Sequence, residues 1–520
     1  MADTTAASRK DTLDKDLDKL VHVEEATSFV ARSLVGPGLA LLFLALSAIV
    51  ASFFAIGEPR GVIIVAAAAV GGYMALNIGA NDVANNVGPA VGAKALTMGG
   101  ALAIAAVFES AGALIAGGDV ITTISSGIVA PSAVATADAF IRLMLAALIS
   151  SALWVHLATW IGAPVSTTHA VVGGVVGSGV AAAGLGAINW SMMSGIAASW
   201  VISPVLGGIA AAICLAFIKA AIIYQDDKIA AARRWVPLLV AVMAGAFAVY
   251  LATKGLRRII HLSDLHLTLL GIGSFLLVWG IARVGIRRQS EHMENRNQSL
   301  RTLFHLPLIC SAALLSFAHG ANDVANAVGP LAAIVHAASG DGVSAAVTIP
   351  LWVMVIGAFG ISIGLVLFGP KLIRMVGEQI TKLNPMRAFC VALSAAVTVI
   401  VASWFGLPVS STHIAVGAVF GVGFFREWYT ANSSRRRAYL ERKAERRRAE
   451  RAAQSVVNED EDAETGDLLT DGPPISREEI ARRKLVRRAH VTTIVTAWVT
   501  TVPASALLAA GVFLLLDSLA

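Results

Sequence analysis

Two short polar phrases, each written twice, hold the residues in this chain that could do chemistry. GANDVANNVG spans residues 79–88 and returns as GANDVANAVG at 320–329; PVSTTH spans 164–169 and returns as PVSSTH at 408–413. The first phrase sets an acid among amides: Asp82 with Asn81 and Asn85, Asp323 with Asn322 and Asn326. Hard oxygen ligands of this kind suit Na+ or a proton relay better than a transition metal. Gly79, Gly88, Gly320 and Gly329 would permit unwound backbone whose carbonyls point at a cation. The second phrase reads as a helix start. Pro164 and Pro408 break the preceding run, and Ser166, Thr167, Thr168, Ser410, Ser411 and Thr412 bring hydroxyls to the cap. The free N–H groups and positive dipole end of a helix N-terminus bind an anion without a formal charge. Together the phrases describe a site for an oxyanion plus cations. The competing readings are helix capping for the acids and amides and bonding to their own helix backbone for the hydroxyls. Duplication with an acid in each copy favours the site. His169 and His413 either titrate near neutral pH or orient the loop through one hydrogen bond.

What must position these residues is a membrane protein. Of 520 residues 56% are hydrophobic and only 14% charged, and the mean hydropathy is +0.73, whereas soluble domains carry roughly a quarter charged residues. An unpartnered carboxylate at the bilayer centre costs about 2.5–3.5 kcal/mol, so Asp82 and Asp323 must face protein, water or an ion. Thirteen apolar stretches are long enough to be spanning candidates: 36–57, 61–78, 98–117, 138–162, 164–184, 189–218, 236–252, 265–286, 303–318, 343–369, 384–405, 408–425 and 489–516. The first follows a polar tail without a small-residue cleavage site and reads as a membrane helix, not a signal peptide. Cys214, Cys310 and Cys390 lie in apolar runs without CxxC spacing, as core-filling thiols. Placing the basic 283–301 segment in the cytoplasm puts 219–235, 370–387 and 426–488 there too, as the positive-inside rule asks; Lys254, Arg257 and Arg258 on the other side are the exception. The net charge of +6 therefore reports topology; no module or basic-aromatic pattern for nucleic acid is present.

GANDVANNVGPA and GANDVANAVGPL agree at ten of twelve positions, and PVSTTHAVVGGVVG (164–177) and PVSSTHIAVGAVFG (408–421) repeat at nearly the same offset. A fainter pair is SWVISP at 199–204 and AWVTTVP at 497–503. Seven crossings, an odd number, separate the two GAND helices, so the halves should run in opposite directions, a recurrent plan of secondary transporters. The expected fold is an all-α polytopic membrane protein of about 12–13 segments, with inverted-topology repeats and broken or re-entrant helices at the site. Its expected organisation is a polar tail (1–33), a first repeat (34–235), connecting helices and a basic loop (236–302), a second repeat (303–427), a charged cytoplasmic insertion (428–488) and a C-terminal membrane helix completing the second repeat (489–520). No HExxH, GxSxG or P-loop lysine pattern argues for an enzyme.

Paired GANDVAN and PVS(S/T)TH motifs resemble the inorganic phosphate transporter (PiT) family of secondary transporters, over roughly 36–516. The resemblance implies symport of inorganic phosphate, alone or as a metal-phosphate, with Na+ or H+ and no other cofactor, by a homodimer in the bilayer of a bacterial inner membrane. It implies a cation role for Asn81, Asp82, Asn322 and Asp323, and phosphate binding by Asn85, Asn326, Ser166, Thr167, Thr168, Ser410, Ser411 and Thr412. Glu109, in VFESAGAL, resembles a family FE motif. It either tunes or carries a coupling proton or stands protonated between helices. Aligning the halves through Gly112 and Gly360 gives it Gly357 as counterpart, so the acid is one-sided. The rivals to phosphate uptake are a sulfate permease of the same fold and a non-transporting membrane receptor or scaffold.

Overall fold

The computed structural model describes residues 34–519, apart from 164, 256–259, 261, 340–346, 348, 380–382, 440, 443–444, 446–447 and 449–487. The polar tail, Pro164 and most of the charged insertion thus lie outside the described residues. Every apolar stretch found in the sequence holds a helix. In order they are α1 (Leu34–Ala55), α2 (Gly61–Gly92), α3 (Met98–Ala116), the short α4 (Gly118–Thr122), α5 (Ala137–Ile161), α6 (Thr167–Ala183), α7 (Trp190–Ile218) and α8 (Lys228–Lys254). There follow α9 (Asp264–Gln289), α10 (Asn297–Leu303), α11 (His305–Asp323), α12 (Ala325–Ala338), α13 (Leu351–Gln379), α14 (Pro385–Trp404), α15 (Ser411–Asn432) and α16 (Arg488–Ser518). Lipid offers no partner to an orphan N–H, and six helix starts are capped by side chains in one way: Thr97, Thr136, Ser166, Asn189, Asn384 and Ser410 each accept from a backbone N–H three residues on.

Among the described residues, eleven helical spans are long and apolar enough to cross a membrane, with α11 and α12 counted as one. The helices that open at the PVS motifs, α6 and α15, fall outside that set. At 17 residues, α6 is about 25 Å long, short of a hydrocarbon core of about 30 Å.

The unwound backbone expected at the GAND glycines is not found at the first copy: α2 runs unbroken from Gly61 to Gly92 through the whole motif. At the second copy only Val324 interrupts the helix, still right-handed at φ −56° and ψ −30°. Gly79 and Gly320 serve close approach instead. A Cβ on Gly79 would collide with the Ile361 carbonyl of α13, and one on Gly320 with the Glu109 carbonyl of α3. The reverse contacts, Gly364 against Leu76 and Gly112 against Phe317, have the same form. This pairing also corrects the register between the halves. Leu76 and Phe317 are counterparts, as are Gly112 and Gly364, so the counterpart of Glu109 is Ile361, one helical turn beyond Gly357.

Helices from the two halves thus exchange partners. The GAND helix α2 packs on α13, and α11 on α3; the PVS helix α6 packs on α16, and α15 on α7. Gly173 and Gly177 of α6 abut Val502 and Ala506, while Gly417 and Gly421 of α15 abut Pro204 and Gly208. The faint SWVISP and AWVTTVP pair therefore marks the two helices that receive the PVS helices.

Candidate functional site

The four motifs meet. Asp82, 1% exposed, accepts hydrogen bonds from Thr167 of its own half (3.0 Å) and Thr412 of the other (3.0 Å). Asp323, buried completely, accepts from Ser411 (3.0 Å), the counterpart of Thr167. The amides cross between halves in the same way: Asn85 donates to Thr412 (2.9 Å), and Asn326 to Thr167 (3.3 Å) and Thr168 (3.2 Å). The residues assigned to cations and those assigned to phosphate are therefore one interlocked network, not two separate sets.

Several expected residues hold the network in place. Ser166 and Ser410 accept from the backbone N–H groups of His169 (3.1 Å) and His413 (3.2 Å), as helix caps do. Thr168 donates to the Val409 carbonyl (3.0 Å). Asn322 donates to Ser403 (2.8 Å) and accepts from the Val409 N–H (3.3 Å). Asn81, turned so that both amide ends are satisfied, accepts from Thr159 (2.9 Å) and donates to the Val165 carbonyl (3.3 Å) and Asp82 (3.1 Å). Both asparagines thus tie a GAND helix to the start of the PVS helix of their own half. The two histidines stack edge to face, ring centres 4.4 Å apart, and His169 packs on Trp200 at 3.9 Å. Of the thirteen residues singled out from the sequence, only Asn85 is not buried.

The structure adds a residue that the motifs conceal. His319, fully buried, lies one turn before Asp323 on α11, its Nε2 2.8 Å from Asp323 Oδ2 and 3.7 Å from Asp82 Oδ2. Its Nδ1 lies 3.3 Å from Glu109 Oε2, and Glu109 accepts from Asn86 (2.7 Å). His319 stands where the first half has Ile78, Asn86 where the second has Ala327, and Glu109 where the second has Ile361. One arm of an otherwise matched site is therefore polar. The signal was in the sequence: a histidine inside an apolar run, at i,i+4 to the motif aspartate and so on the same helix face.

Asp82, His319 and Asp323 each offer one ligand atom within 4.8 Å of the others. Asp323 Oδ1, Asn326 Oδ1 and Asn86 Oδ1 are buried oxygens without a hydrogen-bond donor among the described residues. Buried acceptors in this state carry a desolvation penalty that a cation or a proton removes. The donor set therefore fits a small hard cation or H+.

The chain was compared with known proteins. The profile of the phosphate transporter family matches residues 78–509, a stretch containing all four motifs. A Helicobacter pylori (strain J99) protein described as "Putative phosphate permease" is 47% identical over 526 residues, 96% of this chain and 98% of its own. A Pyrococcus abyssi protein with the same description is 37% identical over 367 residues, 69% of this chain and 88% of its own. A solved structure titled "The sodium-dependent phosphate transporter" superposes with a TM-score of 0.73 at 32% identity, covering 88% of this chain and all of that one.

Proposed function

The chain belongs to the phosphate transporter family, and from that premise we propose that it takes up inorganic phosphate by symport with Na+ or H+, the two halves acting as inverted repeats that alternate in access. It is a multi-pass membrane protein, and its place in this reading is a bacterial inner membrane, as a homodimer. The observation that carries the proposal is the crossed network, in which Asp82 is bonded by hydroxyls of both PVS helices. A rocking of one half against the other makes or breaks that link, so substrate binding and gating share the same atoms.

In this mechanism phosphate enters past Asn85 and takes hydrogen bonds from Thr167, Thr168, Ser411 and Thr412 at the starts of α6 and α15. Cations at the aspartates offset the repulsion between carboxylate and phosphate. A phosphate hydroxyl can itself donate to Asp82, which sulfate at neutral pH cannot do; this favours phosphate over sulfate. A receptor or scaffold would have no use for acids facing each other inside the membrane. The oxygens of Asp82 and Asp323 suit Na+, and the structural neighbour's title names sodium; His319, set among three carboxyl groups, suits a proton.

The deciding experiment is radiolabelled phosphate uptake into proteoliposomes with Na+ and pH gradients imposed separately and excess unlabelled sulfate as competitor. Sulfate-resistant accumulation under one gradient is expected and identifies the ion; accumulation abolished by sulfate moves the assignment to a sulfate permease.

Two variants probe the network. Thr412→Val removes the hydroxyl shared by Asp82 and Asn85. Leaving a buried acceptor unmet costs about 1–3 kcal/mol, so the KM for phosphate is expected to rise about tenfold or more; an unchanged KM removes Thr412 from the site. Glu109→Gln keeps the shape beside His319 and removes the charge. A flattened dependence of uptake on pH is expected, and a profile that overlays the parent's ends any role for Glu109 in proton coupling.

A further inference from the structure

The hydroxyls and amides of the central network can each be set beside their counterpart in the other half. Several bonds match. Thr167 donates to Asp82 Oδ2 and its counterpart Ser411 to Asp323 Oδ2, each at 3.0 Å. Asn85 donates to Thr412 (2.9 Å), and Asn326 to Thr168 (3.2 Å), both across the halves. What the two threonines donate to does not match. Thr412 donates to Asp82 Oδ1 (3.0 Å), an oxygen that the Asn81 amide also reaches (3.1 Å). Thr168 donates to the Val409 carbonyl (3.0 Å). Asp323 Oδ1, where the matching bond would end, is a buried oxygen without a hydrogen-bond donor among the described residues.

The remaining differences go with this one. The counterpart of Val409 is Val165, and its carbonyl is taken by the Asn81 amide (3.3 Å). Asn322, the counterpart of Asn81, accepts from the Val409 N–H instead (3.3 Å), which leaves the Val409 carbonyl to Thr168. Cover differs between the halves as well. Every residue of α12, Ala325–Ala338, is buried, whereas in the matching stretch of α2 Asn85, Pro89 and Val91 are partly exposed and Gly92 is exposed.

We propose that Thr168 and Thr412 are paired hydroxyl switches that exchange roles between the two access states, an inference that rests on the reading of the halves as alternating inverted repeats. When such halves exchange conformations, a contact between two residues is replaced by the contact between their counterparts. Thr168 then leaves the Val409 carbonyl for Asp323 Oδ1, and Thr412 leaves Asp82 Oδ1 for the Val165 carbonyl. Asn81 vacates that carbonyl by taking up the arrangement that Asn322 has here. Thr168 stands ready for the change, since its hydroxyl already accepts from Asn326, three residues past Asp323. Each state has one threonine on a carboxylate and one on a carbonyl, so neither is favoured by the count of bonds. Hydrogen bonds to an ionised group are roughly twice as strong as neutral ones. The Thr412 hydroxyl therefore favours the state seen here and the Thr168 hydroxyl the other. A hydroxyl that served packing alone would favour neither.

The test is the rate at which a charged, membrane-impermeant maleimide labels Ala333→Cys in the full chain, with Cys214, Cys310 and Cys390 replaced by alanine. Ala333 is 0% exposed and its counterpart Gly92 is exposed, so labelling reports the other state. Rates are measured with and without inorganic phosphate plus Na+, in this parent and in Thr168→Val and Thr412→Val. Labelling is expected to be about five- to tenfold faster in Thr412→Val and slower by a similar factor in Thr168→Val. Thr168→Ser and Thr412→Ser, which keep the hydroxyl, should restore the parent rate. Thr168→Ala and Thr412→Ala remove the same hydroxyls with less bulk and serve where a valine variant does not fold. If phosphate and Na+ change the parent rate but the two hydroxyl deletions shift it in the same direction or not at all, the switch is wrong and alternating access stands. If neither ligand nor variant changes the rate, alternating access itself fails and the switch with it.

Discussion

Asp323→Asn is expected to abolish phosphate accumulation while the protein still inserts and folds. Asn has the shape of Asp and can still accept from Ser411, so the helix contacts survive. What goes is the charge that faces His319 at 2.8 Å, and removing one partner of a buried pair costs about 3–5 kcal/mol, a factor of a hundred or more. The loss is specific to coupling. One charge crossing 100 mV is worth about 2.3 kcal/mol, so a monovalent phosphate entering a cell negative inside needs two monovalent cations before the potential drives it. A site with two carboxylates provides for two, and Asp323→Asn leaves one. Accumulation against a gradient should vanish, whereas exchange of labelled for unlabelled phosphate at zero gradient can persist. Asp82→Asn should do at least as much, since Asp82 is bonded by hydroxyls of both halves. Normal accumulation in either variant removes that aspartate from the coupling site.

The second large effect is on stability and comes from a residue that touches no ion. Gly320→Ala places a methyl group into the Glu109 carbonyl of α3. Neither helix backbone can turn aside as a side chain would, so the two helices must separate. Overpacking of this kind costs about 1–3 kcal/mol and at times more, and here it also shifts Glu109 against His319. Gly79→Ala should behave alike against Ile361. Gly88→Ala is the control from the same motif. Nothing lies within 4 Å of a Cβ there, and alanine is favoured over glycine in a helix by about 1 kcal/mol. A thermal melt in detergent should show Gly79→Ala and Gly320→Ala destabilised and Gly88→Ala unchanged or raised. Equal stability of all three would mean that the glycines do not set the helix spacing.

Much of this was legible in the sequence because lipid makes polar residues costly. A run of twenty apolar residues reads as a helix, and a duplicated Asp among amides inside such runs needs partners, so thirteen of the sixteen helices and the meeting of the four motifs could be read directly. Periodicity does not distinguish a glycine that unwinds a helix from one that lets another helix in, and Gly79 and Gly320 were of the second kind. Nor does it fix register between helices distant in the chain, which is why Glu109 was matched to Gly357 instead of Ile361. His319 was hidden because the comparison of repeats rewards what is shared, and His319 is one of the residues the halves do not share. The crossing of the bonds, with Asn85 reaching Thr412 and Asn326 reaching Thr168, needed three dimensions.

The exchange of partners between the halves also sets a schedule for biogenesis. Gly173 of α6 finds its neighbour, Val502, only in the last helix, after more than three hundred further residues and the whole charged insertion have left the ribosome. Until then the glycine-lined face of α6 lacks the helix it packs on, although the partners of Thr167 at its start, Asp82 and Asn326, are already made. Contacts so distant in sequence form late and slowly. The nascent chain therefore cannot assemble a working half in advance, and a stop codon just before α16 yields a protein whose α6, though complete in sequence, has no helix to receive its glycine face.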